Sequence, residues 1–280
     1  MDTTTSLVPS LPDAIVPAHE ARSAFLSHLA EWSITQKIRK RGFIYQDVSL
    51  EVSGPQFVRV ELDSVSDGRQ ERMPSSVVRL AYVFEFENKG EVIGVTMPHP
   101  HGQIYAFPFI PPKIQTELNA AKEHRARTGR CLFCDVVEEE RRDGRRILLE
   151  NEGFVATVPF FARYPYEVNL FSRRHLLDFT QFEEEEIWDL ARILKCVLLK
   201  YDNLYGFSFP YMMIIHQQPT DGDDHSSYHF HIEFLPPYRS RTKLKYLAGC
   251  ESGAGTFIND SSPEEKAQEL RETEPRGIEA

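Results

Sequence analysis

His99-Pro100-His101-Gly102-Gln103 follows the lead-in Phe86-Glu87-Asn88-Lys89-Gly90-Glu91-Val92-Ile93-Gly94-Val95-Thr96-Met97-Pro98 and runs on into Ile104-Tyr105-Ala106-Phe107. Side chains of an extended strand alternate between its faces, so both imidazoles and the Gln103 amide project to one side. Gly102 lets a bulky ligand approach the backbone there. Two imidazoles so placed serve as metal ligands, as a satisfied polar pair or, where one nitrogen stays unprotonated, as a nucleophile.

Before the motif, Leu80, Tyr82, Phe84 and Phe86 alternate with Arg79, Ala81, Val83 and Glu85, the pattern of a half-buried strand. Asn88-Lys89-Gly90 reads as a turn, and Val92-Ile93 begins a return strand towards the histidines. Residues 113–127 read as a helix with Glu117 near its start. Cys131-Leu132-Phe133-Cys134 then forms a tight turn, and strands are expected over 154–158 and 167–172. Thr180 with Glu183 fits a capping box for a long helix whose apolar stripe includes Leu190, Leu194, Val197 and Tyr201, closed by Gly206. A strand over 211–215 delivers His216. The strand Tyr228-His229-Phe230-His231-Ile232-Glu233-Phe234 puts His229, His231 and Glu233 on one face and four large apolar side chains on the other. Ser262-Pro263-Glu264-Glu265 starts a last helix.

Upstream the text is less legible. A helix is expected over 21–38 and strand-like patterning over 43–62, with no motif. The expected division is a divergent segment over 1–78, the remnant of a first half carrying the histidine motif over 79–112, a second half over 113–258, and a helix and tail over 259–280. His-x-His recurs in the two halves, at His99/His101 and His229/His231.

The chain has 280 residues, enough for one large or two modest cores, and a formal net charge of -10, which argues against a general nucleic-acid binder. No apolar run reaches the length of a membrane span, and Met1-Asp2-Thr3-Thr4-Thr5 is no signal pattern. Four cysteines do not make a disulfide framework; they point to a reducing compartment, the cytoplasm. Cys131 and Cys134 stand at zinc-bite spacing, with His175, His216, His229 and His231 as downstream partners. Cys131, Cys134, His175 and His229 are the favoured structural zinc set; two ordinary buried thiols are the alternative.

The pentapeptide, with Asn88-Lys89-Gly90 and Gly94-x-Thr96 before it, resembles the active-site motif of the galactose-1-phosphate uridylyltransferase family, a branch of the histidine-triad superfamily. The resemblance extends over residues 82–271. It implies an α+β fold of histidine-triad-like antiparallel sheets with flanking helices, in two related halves, the first of them incomplete here. It implies UMP transfer between UDP-glucose and galactose-1-phosphate, with His101 as nucleophile, Gln103 donating to the phosphoryl oxygens, and His99 as a metal ligand lacking its usual partners. Asn88, Gly94 and Thr96 match residues lining the nucleotide-sugar pocket. Lys245, Tyr246, Leu247 and Ala248, with Glu251, match a late segment that contacts sugar and phosphate. A competing metal set follows from the same resemblance: Glu117, His216, His231 and Glu233, the last standing where the family has histidine. The family is dimeric and binds metal. A phosphorylase or transferase for another nucleotide sugar such as ADP-glucose, and an inactive zinc-binding fragment, are the alternatives.

Overall fold

The computed structural model describes residues 45–52, 57–66, 69–72, 76–79, 81–96 and 101–276. The helix expected over 21–38 and His99 lie outside the described residues. The chain divides into two compact units, one comprising Met1–Phe84, Gln103–Pro111 and Pro219–Asp224, the other Glu85–Gly102, Pro112–Gln218 and His225–Ala280.

In the first unit β1 (Tyr45–Val52), β2 (Phe57–Ser66), β3 (Arg69–Arg72) and β4 (Ser76–Arg79) form an antiparallel sheet in which β2 pairs with each of the others. The single strand expected around residue 80 is two elements, β4 and then β5 (Tyr82–Lys89). The first residues of β5 and most of β6 (Gly102–Phe107) belong to this unit, where Tyr82, Phe84, Phe107 and Phe109 make successive ring contacts. Between β5 and β6 the expected return strand is instead a single 3-10 turn, Glu91–Ile93, ended by Gly94 at φ +85°.

The second unit continues with α1 (Pro112–Thr128), α2 (Leu132–Asp143), β7 (Ile147–Glu150), β8 (Phe154–Thr157), β9 (Val168–Ser172) and α3 (Glu184–Tyr205). It ends with β10 (Tyr211–His216), β11 (His231–Leu235), the short pair β12 (Tyr238–Ser240) and β13 (Lys243–Leu244), α4 (Gly249–Ala254) and α5 (Pro263–Glu272). Its sheet runs β5-β10-β11-β9-β8-β7, antiparallel at every step. The fold is therefore mixed, with helices packed on antiparallel sheet.

Strand alternation explains how this sheet is used. Phe154, Ala156, Val168, Leu170, Ile232 and Phe234 point into the main core, where Leu190, Ile193, Val197 and Tyr201 of α3 and Ala267 and Leu270 of α5 meet them. Val155 and Phe171 point to the opposite face and pack against Val137 and Phe133 of α2. The odd-numbered polar residues of β11, His231 and Glu233, share that second face and are buried there. Buried Lys200 donates from Nζ to the carbonyls of Leu270, Arg271 and Thr273, closing the C-terminal end of α5. The α3 capping box is Glu183 with Glu186, not Thr180 with Glu183, because Asp178 takes the Thr180 N–H for a separate 3-10 turn.

Candidate functional site

Cys131 is the N-cap residue of α2 and Cys134 lies in its first turn, so the Cys-x-x-Cys stretch opens a helix rather than making a free turn. His175 follows the end of β9, and His229 precedes β11. The four candidate ligand atoms lie within 4.8 Å of one another. Cys134 Sγ is 3.6 Å from His175 Nδ1 and 3.5 Å from His229 Nδ1, and Cys131 Sγ is 3.7 Å from His229 Nδ1. A tetrahedral ion bonded at ~2.3 Å to sulfur and ~2.05 Å to nitrogen sets the sulfur–nitrogen edge at about 3.6 Å. The spacing fits zinc.

The outer nitrogens agree. His229 Nε2 donates to the Ser172 carbonyl at 2.9 Å and His175 Nε2 to the Ser226 carbonyl at 3.1 Å. Each bond fixes the tautomer that leaves the Nδ1 lone pair facing the sulfurs. Hydrogen bonding from Cys134, and then from the two imidazoles, lowers the Cys131 thiol, while the Cys131 sulfur beside it pushes Cys134 up. Without a cation the Cys131 thiolate keeps Cys134 protonated; a cation between the sulfurs would let both ionise, and a Cys2His2 donor set is one that zinc takes.

A second group forms alongside the first from different residues, so the two sets do not compete for ligands. Glu117 on α1, His216 at the end of β10, and His231 and Glu233 on β11 also converge within 4.8 Å. His216 Nδ1 is 3.0 Å from Glu117 Oε2, and its Nε2, which makes no hydrogen bond, is 3.3 Å from Glu233 Oε2. His231 donates from Nδ1 to the His229 carbonyl at 2.9 Å and stacks on His216 and Phe133. Burial and then the neighbouring His216 hold the His231 pKa at about 3, so the ring is neutral. Burial alone would raise Glu117, but His216 brings it down to about 2.

Three side chains at this group escaped the sequence reading. Lys113 Nζ contacts Glu233 Oε2 and stands 3.8 Å from Glu117 Oε1. Arg163 reaches the other Glu233 oxygen at 2.9 Å. Tyr228 donates to Glu117 at 2.7 Å instead of joining the core face, because regular strand begins only at His231. A usable signal existed for Lys113, which precedes Glu117 by one helical turn.

His101 is half-buried at the entry to β6, and Gln103 is the second residue of that strand. Glu87 lies close enough to His101 for their charges to interact: burial raises the Glu87 carboxyl, and the Tyr211 hydroxyl, Lys89 and His101 oppose that rise. Asn88 pairs opposite Met212, Gly94 ends the 3-10 turn, and Thr96 is exposed. In the late segment Tyr246 and Leu247 are exposed, whereas Lys245 bonds to Glu251 at 3.2 Å. Glu251 also accepts from Ala248 N at 3.1 Å, at the head of α4. Lys245 and Glu251 thus brace one another.

Among the described residues no helix is long and apolar enough to cross a membrane. Residues 117–276 match the family model "Galactose-1-phosphate uridyl transferase, C-terminal domain", and residues 56–111 match the N-terminal domain of the same family. A galactose-1-phosphate uridylyltransferase of Thermotoga maritima is 46% identical over 194 residues, 69% of this chain and 60% of that protein. A solved uridylyltransferase mutant superposes with a TM-score of 0.65 at 40% identity, covering 69% of this chain and 62% of that one. An ADP-glucose phosphorylase from Arabidopsis thaliana with bound ADP-glucose gives 0.60 at 27%, covering 69% and 58%. The chain spans about 60% of the length of these curated relatives. On the extent of the matched domains, the chain belongs to the galactose-1-phosphate uridylyltransferase family.

Proposed function

We propose that the chain transfers a uridylyl group between UDP-glucose and galactose-1-phosphate through a covalent intermediate on His101. The observation that carries the reading is His101 at the entry to β6, near the Glu87 carboxyl, in a chain whose matched segments belong to both domains of one uridylyltransferase family. An unprotonated imidazole nitrogen gives its lone pair to the α-phosphorus of UDP-glucose. The N–P bond forms as the P–O bond to the sugar phosphate breaks, and glucose-1-phosphate leaves with that electron pair. A phosphate oxygen of galactose-1-phosphate then attacks the same phosphorus, the P–N bond breaks, and the imidazole recovers its lone pair. Neither step moves a net proton, so an amide donor at Gln103, which steadies phosphoryl oxygens without offering a proton, suits transfer over hydrolysis.

Zinc held by Cys131, Cys134, His175 and His229 is structural in this reading, pinning α2 to the ends of β9 and β11. Asn88, Gly94 and Thr96 line the nucleotide-sugar side. Tyr246 and Leu247, which expose apolar surface, are offered to sugar or to a second copy of the chain. Free thiols suit the cytoplasm.

UDP-glucose radiolabelled in the uracil ring provides the test. The wild-type chain is expected to keep label through denaturing gel filtration at alkaline pH, and His101→Ala to fall to background. Label retained by that variant would overturn the assignment. The likeness to the ADP-glucose phosphorylase supports a second reading, and stronger labelling from ADP-glucose in a parallel incubation would favour it.

A further inference from the structure

We infer that Lys113 and Arg163 take the place of a metal ion at Glu117, His216, His231 and Glu233, so that this group binds no metal and the described residues hold one ion, at the cysteine site. Both Glu233 oxygens are already spent on cations. Oε2 meets the Lys113 ammonium, and Oε1 meets the Arg163 guanidinium at 2.9 Å. Lys113 also faces Glu117 Oε1 at 3.8 Å, so one ammonium spans the two carboxylates that a divalent ion would bridge. Glu233 is almost fully buried, with 5% of its side chain exposed, which strengthens these attractions relative to surface pairs. An ion entering here would have to displace the ammonium and then sit beside a guanidinium. That guanidinium is itself held by Glu167 at 3.1 Å.

His216 Nε2, buried without a hydrogen bond, would by itself suit an ion. The two cations outweigh it, since an ammonium and a guanidinium already seated on the carboxylates would repel a dication at that range. The cysteine site differs on this point: its outer nitrogens end on carbonyls, and no cationic side chain bonds to its sulfurs among the described residues. Lys113 keeps 41% of its side chain exposed, so it can be replaced without opening the core.

The inference is independent of the transfer reaction and is tested by counting metal. The full chain is incubated with excess zinc, desalted and analysed by elemental mass spectrometry. Wild type and Lys113→Arg are expected to hold one zinc per chain, and Lys113→Met two. Titration with cobalt should give a thiolate-to-cobalt band in wild type that saturates at one equivalent, with no further visible absorption beyond it. The Lys113→Met protein should add a second, weaker d–d component. Two ions in wild type, or a single ion in Lys113→Met, would overturn the inference. So would a wild-type cobalt spectrum lacking the thiolate band, because the one ion would then sit in the carboxylate group. Failure of the His101 labelling experiment would leave all these counts unchanged.

Discussion

Glu85 on β5 shows how a single carboxyl shapes the pH response of the fold. Its Oε1 accepts from Gln217 at 2.7 Å, but its Oε2 is enclosed with no hydrogen-bond partner. Burial raises its pKa from the ordinary 4.5 to about 8, against weaker lowering by hydrogen bonds, Gln217's included. The folded chain therefore keeps a proton that the unfolded chain releases near pH 4.5. Stability from this group is whole below that pH and is lost as pH rises through 8. Glu85→Gln keeps the shape without the charge, and should stabilise by about 2 kcal/mol at pH 8, a figure reduced for partial solvent screening. The gain should vanish towards pH 4.5 in denaturant titrations at a series of pH values; an equal gain at both ends would refute the cause. Residues at this scale divide sharply in legibility. Cys131, Cys134, His175 and His229 could be grouped from the sequence because thiol spacing and imidazoles name their own chemistry. The roles of Lys113 and Arg163 could not, because a lysine or arginine reads as surface until the fold shows which carboxylate it meets.

At the scale of elements, Gly90 sets the exit from β5. It adopts φ +108°, and a Cβ there would stand 2.7 Å from Pro210 Cβ, just before β10. Gly94 also has positive φ, at +85°, but a Cβ there would meet nothing within 4 Å. Gly90→Ala thus carries both backbone strain and a clash, and is expected to cost roughly 2–4 kcal/mol; Gly94→Ala carries strain alone, about 1 kcal/mol. Equal losses in urea unfolding would show that the Pro210 contact is not what demands glycine at 90. The break at Gly90 was readable from composition, but the turn expected over Asn88-Lys89-Gly90 begins later than its sequence suggests, because Asn88 and Lys89 stay in β5, paired opposite Met212 and Tyr211. The 3-10 turn after it was not, since Val92-Ile93 has the β-branched character of a strand and only the positive φ values on either side make it curl. The helix start at Cys131 was hidden for a related reason: its N-cap is a cysteine with no side-chain capping bond, so the usual Ser, Thr or Asp marker is missing.

At the scale of the whole molecule, long apolar periodicity made the second unit legible, whereas much of the first unit could not be read. Strand β3 reads Arg-Gln-Glu-Arg and owes its place to backbone pairing with β2, which leaves no hydrophobic pattern to find. The second unit has the opposite character, and its cysteine centre joins three of its parts: the start of α2, the end of β9 and the approach to β11. A metal ion held there would act as a cross-link between segments more than forty residues apart in sequence, Cys134 and His175 being separated by 41 positions. Removing it would leave the two sulfurs facing each other and leave α2 leaning on its contact with Val155 and Phe171, a small cluster with little apolar area to hold the helix alone. Chelation with phenanthroline is therefore expected to cost about 3–4 kcal/mol, lowering the thermal midpoint by roughly 10 °C, with zinc restoring it. The Cys131→Ser/Cys134→Ser chain should melt at the lower temperature and ignore the chelator. Because His101 belongs to the same unit, the chelated chain should lose uridylyl labelling as this unit loosens, with α2 leaving before the α3–α5 core melts. Hydrogen exchange can follow that order directly. Amides of α2 that remain as protected as those of α3 after chelation would show that the helix is held by packing, and that the centre is not its anchor.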